Sequence, residues 1–431
     1  MVAVVIFGLF LGLMLVGVPV IMAFGFSSLA GLFYAGFGKS LIGLYIFPQM
    51  IVEGVEAPDL LAIPFFVLAG NLMNAIGVTD RIVRMADAYV GHLKAGLAQV
   101  NVVASLFFGG ITGSAVADCA AVSNLIVRAM WERGYPKAYA GALTAASSVI
   151  GPTMWPSVPL LIYSFSASVS VERVFLAGLG PGILIVAALM IYNRFVAVRY
   201  KVPLAKRAPL RRVLRASFDG VWAILAPVII VGSITTGAAT ALEAGVIASV
   251  YVIALGLAYR ALTIAKLVEA LSETVLLTCT VLMIIGMSTV MAWLMSFHQI
   301  PQTLANEVLG LTEEKIIFLL GLIIFFLIIG TILEPIPAMV VLLPILLPLI
   351  DHFHIDRVHF GLILVYGLLL GIVTPPVGVA LFIVARVGGI PFERLCVAIL
   401  SLLIPLIVVL FMISLVPAFV LTIPDLLLGH Q

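Results

Sequence analysis

Charge is what this sequence has least of. Only 10% of its 431 residues are Asp, Glu, Lys or Arg, against 63% hydrophobic, and the mean hydropathy is +1.29. A soluble globule cannot hide so large an apolar fraction, so the chain reads as a polytopic helical membrane protein. Regular alternation of polar and apolar residues is also missing, which excludes a β-barrel. Cysteine is scarce: Cys119, Cys279 and Cys396 lie in apolar surroundings and read as buried thiols rather than a disulfide or metal set. No Ser/His/Asp set, HExxH or phosphate-binding glycine loop occurs in an enzymatic context. A net charge of +2 offers no footprint for nucleic acid. The first apolar segment has neither a basic leader nor a small-residue cleavage site, and reads as a retained span.

What is present is a series of long apolar runs. Spans are expected at about 2–16, 18–36, 61–77, 138–165, 174–194, 220–237, 240–259, 274–297, 359–385 and 396–422. Two further segments, about 95–130 and 314–350, are too long for one span and are interrupted midway. Between 194 and 215 stand Arg194, Arg199, Lys201, Lys206, Arg207, Arg211, Arg212 and Arg215 with no acid among them, which makes this central loop cytoplasmic. With that anchor, both interrupted segments read as re-entrant hairpins, one opening from each face. The acidic stretch 53–59 then falls outside. Two segments look interfacial: 79–94, with Ile82, Met85, Tyr89 and Leu93 on one stripe, and the weaker 301–311.

The halves repeat. Gly109-Gly-Ile-Thr-Gly-Ser114 matches Ile329-Gly-Thr-Ile-Leu-Glu334 about 220 residues later, and Gly151-Pro-Thr-Met-Trp-Pro-Ser157 matches Thr374-Pro-Pro-Val-Gly378 at a similar offset. A cytoplasmic linker and an odd number of crossings per half make the repeats inverted, 1–215 and 216–431. Each half then holds scaffold helices, one hairpin and one broken helix, at 138–165 and 359–385. Inverted repeats with Gly/Pro interruptions at matching positions are the sequence pattern of a secondary-transporter site.

The four interruptions carry the chemistry. Thr112, Gly113 and Ser114 at the first hairpin tip offer hydroxyls and freed carbonyls, hard oxygen ligands suited to Na+. Pro152, Pro156 and Pro159 preclude a continuous helix and expose carbonyls near Ser148, Gly151 and Thr153. Prolines and glycines are also simply frequent in membrane helices, where neighbours satisfy the freed groups. It is the pairing of four breaks, each with Ser/Thr or a carboxylate, that points to a site. A carboxylate at bilayer depth costs roughly 2.5–3.5 kcal/mol, so Glu334 must face protein, an ion or water. Asp118 and Glu334 are each open to two readings, neutralising a cation or holding a helix in place. Glu243 reads as a helix-start carboxylate of the scaffold. His352 and His354, in the run 351–359, read as parts of a solvated outer loop rather than metal ligands.

Five motifs in order carry a resemblance: Ile63-Pro-Phe-Phe-Val-Leu-Ala-Gly-Asn71, Gly109-Gly-Ile-Thr-Gly-Ser-Ala-Val-Ala-Asp118, Gly151-Pro-Thr-Met-Trp-Pro-Ser157, Gly330-Thr-Ile-Leu-Glu-Pro335 and Thr374-Pro-Pro-Val-Gly378. Together they resemble the large membrane subunit of TRAP transporters, DctM type, over essentially the whole chain. The resemblance implies an all-α, elevator-type, Na+-coupled importer of organic acids in the bacterial inner membrane, with no cofactor beyond the coupling ion. It also implies two partners, a small DctQ-type membrane subunit, here a separate polypeptide, and a DctP-type periplasmic substrate-binding protein.

One Na+ is then expected at Thr112, Gly113 and Ser114 facing Ser148, Gly151 and Thr153. A second is expected at Gly330, Thr331, Leu333 and Glu334 facing Thr374, Val377 and Gly378. An organic acid would sit between them, near Ser114, Asp118, Trp155, Ser157, Pro335 and Pro375, held by backbone amides, helix N-termini and hydroxyls. The rivals are a single-component anion permease of similar build, an intramembrane protease using Asp118 and Glu334, and a purely structural subunit. The last explains neither the breaks nor their symmetry.

Overall fold

The computed structural model describes residues 1–39, 41–200 and 207–429, without the side chains at 39, 41, 42, 59 and 110–112. Lys201 and Lys206 of the basic linker, and the side chain of Thr112, lie outside the described residues. Within the bilayer no water meets a bare peptide group, so an apolar chain folds into helices that satisfy their own backbone. The described residues form helices joined by short turns, with no strand among them. Seven helices are long and apolar enough to cross a membrane, the shortest 18 residues and the longest, Ile264–Phe297, 34.

Most expected spans coincide with helices, and the differences have local causes. Leu41–Val55 is a helix that the hydropathy reading passed over, because Pro48, Gln49 and Glu53 dilute its apolar run. It packs on the long helix 264–297, where Gly54 lies against Thr289 and Gly286. The expected span 396–422 is two helices, Phe392–Leu415 and Ala418–Leu428, because Val416 before Pro417 turns extended. The helix Val78–Val90 leaves Ala62–Ala75 with a 72° bend at Gly77, whose φ is +74. Its buried face includes Ile82 and Met85, but Tyr89 and Leu93 are exposed, the latter because the helix ends before it. The helix Ile300–Leu311 packs on the second hairpin.

Two other expectations need adjusting. His359 is not in a solvated loop: the helix Arg357–Gly371 begins before it, and its buried ring bonds the Ile413 carbonyl at 2.7 Å. Cys119 is buried, but Cys279 is exposed and Cys396 only half-buried. An apolar neighbourhood in sequence reports bilayer depth, and lipid meets it as well as protein does. Glu243 does close a capping box with Thr240 at the start of Ala241–Ala258.

Both interrupted segments turn back on themselves. In the first, Gly96–Thr112 ends at Gly113 (φ +59), and the chain returns through 115–132, bringing Met130 Sδ to within 3.9 Å of Asn101 Nδ2. In the second, Lys315–Ile332 and Pro335–His352 return Phe353 onto Phe318, rings stacked 4.4 Å apart. The two broken spans, 137–166 and 357–388, lie antiparallel. Lys137 Nζ donates to the Gly389 carbonyl at one end, and Tyr163 donates to the Arg357 carbonyl at the other. The first hairpin has its base near the former end and the second near the latter, where Lys315 reaches the His354 carbonyl at 3.2 Å.

Candidate functional site

Each hairpin meets a broken span backbone to backbone. A Cβ on Gly109 would overlap Gly151, and one on Gly371 would overlap Gly330. Only glycine allows so close an approach. At the first tip, a Cβ on Gly113 would come 3.1 Å from the Pro156 carbonyl oxygen and the Val158 nitrogen, so this tip rests on the first break itself. The breaks share a local form: each contains a cis X-Pro peptide, Trp155–Pro156 and Pro375–Pro376. Beyond the first, Ser157 caps Val158–Ser166, accepting from Leu160 N while its hydroxyl donates to the Pro152 carbonyl at 2.6 Å. Beyond the second, Gly378 (φ +57) starts Val379–Gly388.

Between the tips and the breaks lies a cavity of about 220 Å³. The first hairpin contributes Gly113 to Val116 to its wall and the second contributes Glu334 to Ile336. The first break adds Pro152, Val158 and Pro159; the second span adds Leu369, Ile372 and Val379; the long helix adds Leu277 and Val281. Four helices begin beside this wall, with N-caps Ser114, Ser157, Glu334 and Gly378; Ser114 and Glu334 line it themselves, and the helices capped by Ser157 and Gly378 reach it through Val158 and Val379. Helix N-termini carry partial positive charge and unpaired N–H groups, so the cavity favours an anion although, among the described residues, no cationic side chain lines it. Its polar side chains are Ser114 and Glu334. Glu334 is exposed to the cavity and makes no capping hydrogen bond to Pro335–His352.

The expected site residues fall into two groups. Gly113, Ser114, Glu334 and Pro335 line the cavity. Ser148 and Thr153 are fully buried behind it, and Thr374 is half-buried at the second break. Their hydroxyls donate to Ala145, Val149 and Leu370 carbonyls at 2.8, 2.7 and 2.6 Å, as Thr331 does to Ile328 at 2.7 Å. A hydroxyl committed as donor still offers its lone pairs to a cation. Leu333 is extended, between the two legs of its hairpin, and Val377 is exposed. Trp155, Ser157 and Pro375 stand at the breaks without entering the cavity wall. Asp118 is displaced further: it is fully buried, and neither carboxylate oxygen meets a hydrogen bond. The Ser105 hydroxyl beside it is engaged with Ser147 at 2.9 Å.

That last contact belongs to a buried polar ladder which the sequence reading missed. Asn101 Nδ2 donates to Thr144 at 2.8 Å, and Ser147 donates back to Asn101 Oδ1 at 3.3 Å. The spacing Asn101/Ser105 and Thr144/Ser147 was the available signal, two short polar stripes on facing helices.

Helices broken in pairs around a membrane-embedded cavity, with their N-termini turned into it, define a transport permease. The family described as "Tripartite ATP-independent periplasmic transporter, DctM component" matches residues 7–419. Over 426 residues the chain is 38% identical to the sialic acid TRAP transporter large permease protein SiaM of Vibrio cholerae, covering 99% of both chains. It is 35% identical to the C4-dicarboxylate TRAP transporter large permease protein DctM of Pseudomonas aeruginosa, covering 87% of this chain and 88% of that one. The YdaH transporter of Alcanivorax borkumensis shares the fold, with a TM-score of 0.58 at 14% identity over 88% of this chain and 90% of that one. The chain belongs to the DctM family: it is the large permease subunit of a tripartite TRAP transporter, and not an enzyme.

Proposed function

We propose that this permease imports an organic acid across the bacterial inner membrane by Na+ symport and an elevator movement. It would act with a small DctQ-type membrane subunit and a DctP-type periplasmic binding protein. The substrate class is that of its named relatives, such as sialic acids or C4-dicarboxylates. The observation that carries the reading is the meeting of both hairpin tips and both broken spans at one cavity ringed by four helix N-termini. The antiparallel broken spans and the paired glycine contacts support inverted repeats over 1–215 and 216–431, with the loop 194–215 cytoplasmic.

In this mechanism Ser114 and the carbonyls at the first tip bind one Na+ with Ser148, Gly151 and Thr153 behind them. Glu334 and the second tip bind another with Thr374 and the 374–378 turn. Each bound cation offsets the negative charge of the acid that the helix N-termini hold between the tips. The inward fall of each Na+ through about 100 mV supplies about 2.3 kcal/mol, so two ions concentrate an acid substantially. The hairpins and broken spans would move as a block against a frame built on the long helix 264–297.

Uptake in proteoliposomes containing the assembled transporter tests this. Ser114→Ala and Thr374→Ala should each raise the Na+ concentration needed for half-maximal uptake roughly tenfold, as loss of a coordinating contact commonly does. Wild-type Na+ response in both variants would sink the site assignment. Uptake by the chain alone, without a binding protein, would instead point to a single-component permease.

A further inference from the structure

A second pocket lies far from the cavity, between the amphipathic helix Val78–Val90 and the first turns of Leu210–Thr235. It encloses about 370 Å³ and is lined by Arg81, Arg84, Arg212, Arg215, Ala216 and Asp219. Four arginines and one aspartate thus share its lining. Arg212 is engaged with Asp87 at 2.8 Å, and Arg81 stacks 3.6 Å from the centroid of the Tyr259 ring. Among the described residues, Arg84 and Arg215 make no ion pair, and both are exposed. With four arginines against one aspartate, the lining keeps a net positive charge that a bound anion would offset.

The depth of the pocket says which anion. Phe218 and Trp222, packed edge to face at 6.1 Å and both exposed, continue the Arg215 stripe along the same helix. Tyr89, also exposed, bonds Ser217 at 2.7 Å. Exposed aromatics of this kind mark the boundary between headgroups and acyl chains. Exposed arginines with exposed aromatic rings further along the same helix match a molecule with an anionic phosphodiester head and apolar tails.

We propose that this pocket binds the headgroup phosphate of an anionic phospholipid, with Arg84 and Arg215 clamping the phosphate and the acyl chains lying along Phe218 and Trp222. Bound there, the lipid would pin the amphipathic helix to the span beside it. The site is independent of the transport cavity and of what the transporter carries.

Native mass spectrometry of the full chain, purified in detergent and exposed to equal concentrations of cardiolipin, phosphatidylglycerol or phosphatidylcholine, tests the proposal. Cardiolipin and phosphatidylglycerol should be retained over phosphatidylcholine and should raise the melting temperature, whereas inorganic phosphate should not. Arg84→Ala/Arg215→Ala should weaken anionic-lipid retention about thirtyfold, the loss expected of two interfacial arginines, while Arg386→Ala outside the pocket should not. If the double alanine variant does not fold, Arg84→Lys/Arg215→Lys keeps the charge and should lose only part of the retention, because the bidentate geometry goes. Equal retention of phosphatidylcholine, an equal effect of inorganic phosphate, or wild-type retention by the substituted protein would overturn it. So would displacement of the lipid by an acidic protein partner at equimolar amounts.

Discussion

Four glycines decide how the transport cavity closes on its back side. Gly109 with Gly151, and Gly330 with Gly371, bring main chains together with no side chain between them. A methyl group there has no space to enter, so Gly109→Ala and Gly371→Ala should each destabilise the purified protein by about 1–3 kcal/mol, read as a drop in melting temperature. Gly232, with nothing within 4 Å, is the control. Gly232→Ala should be neutral or stabilise by up to about 1 kcal/mol. If all three variants melt alike, close packing is not what these glycines supply. Sequence alone located Gly151 and Gly330 because they stand beside prolines, hydroxyls or a carboxylate. It did not single out Asn101, Ser105, Thr144 or Ser147, since a two-residue polar stripe in an apolar helix reads the same whether it faces lipid, water or another helix. For Glu334 the structure narrows the choice, since its carboxylate faces the cavity and makes no cap bond.

The two hairpins are held differently. The first is tied to its broken span by the Asn101–Thr144 and Ser105–Ser147 hydrogen bonds. The second rests on apolar contact, with Phe326 packed against Gly367 and tilted against Phe360. Hydrogen bonds between membrane helices are modest, so a double-mutant cycle of Asn101→Ala and Thr144→Ala should give a coupling of about 0.6 kcal/mol by chemical denaturation in micelles. A coupling indistinguishable from zero would mean that the ladder contributes nothing to holding the hairpin. Both hairpins were legible in the sequence, because segments of that length with a Gly or Pro interruption cannot be single spans. The helix Leu41–Val55 and the break at Val416 were not. The first is short and carries Pro48, Gln49 and Glu53, and the second turns on one proline inside an otherwise continuous apolar run.

At the scale of the molecule, the long helix Ile264–Phe297 serves as a spine, packed by Val20–Tyr34, Leu41–Val55 and Ala62–Ala75 on one side and by the second hairpin on another. If those three helices and the spine form a static frame, fixing them to one another should not impede transport. A Cβ on Gly25 would lie 3.3 Å from Met287 Sδ, so cysteines at these two positions stand within reach of a short bis-methanethiosulfonate crosslinker. Gly25→Cys/Met287→Cys, in a background lacking the three native cysteines, should retain most of its uptake after bridging by that reagent. Abolished uptake, restored by reductant, would mean that these helices slide during the cycle and that the division between frame and moving block is wrongly drawn. The helical class and most of the spans were accessible from hydropathy and run length. The neighbours of each helix were not, because lipid-facing and protein-facing surfaces have nearly the same composition.

The glycine contacts also bear on how such a permease adapts to new cargo. Where main chain meets main chain, substitution has nothing to vary, so these junctions are closed to gradual change. Diversification is confined to the walls that do present side chains, such as Leu277, Val281, Leu369 and Ile372, and to whatever partner delivers the substrate. A change on those walls can reshape the cavity while the closure stays as it is.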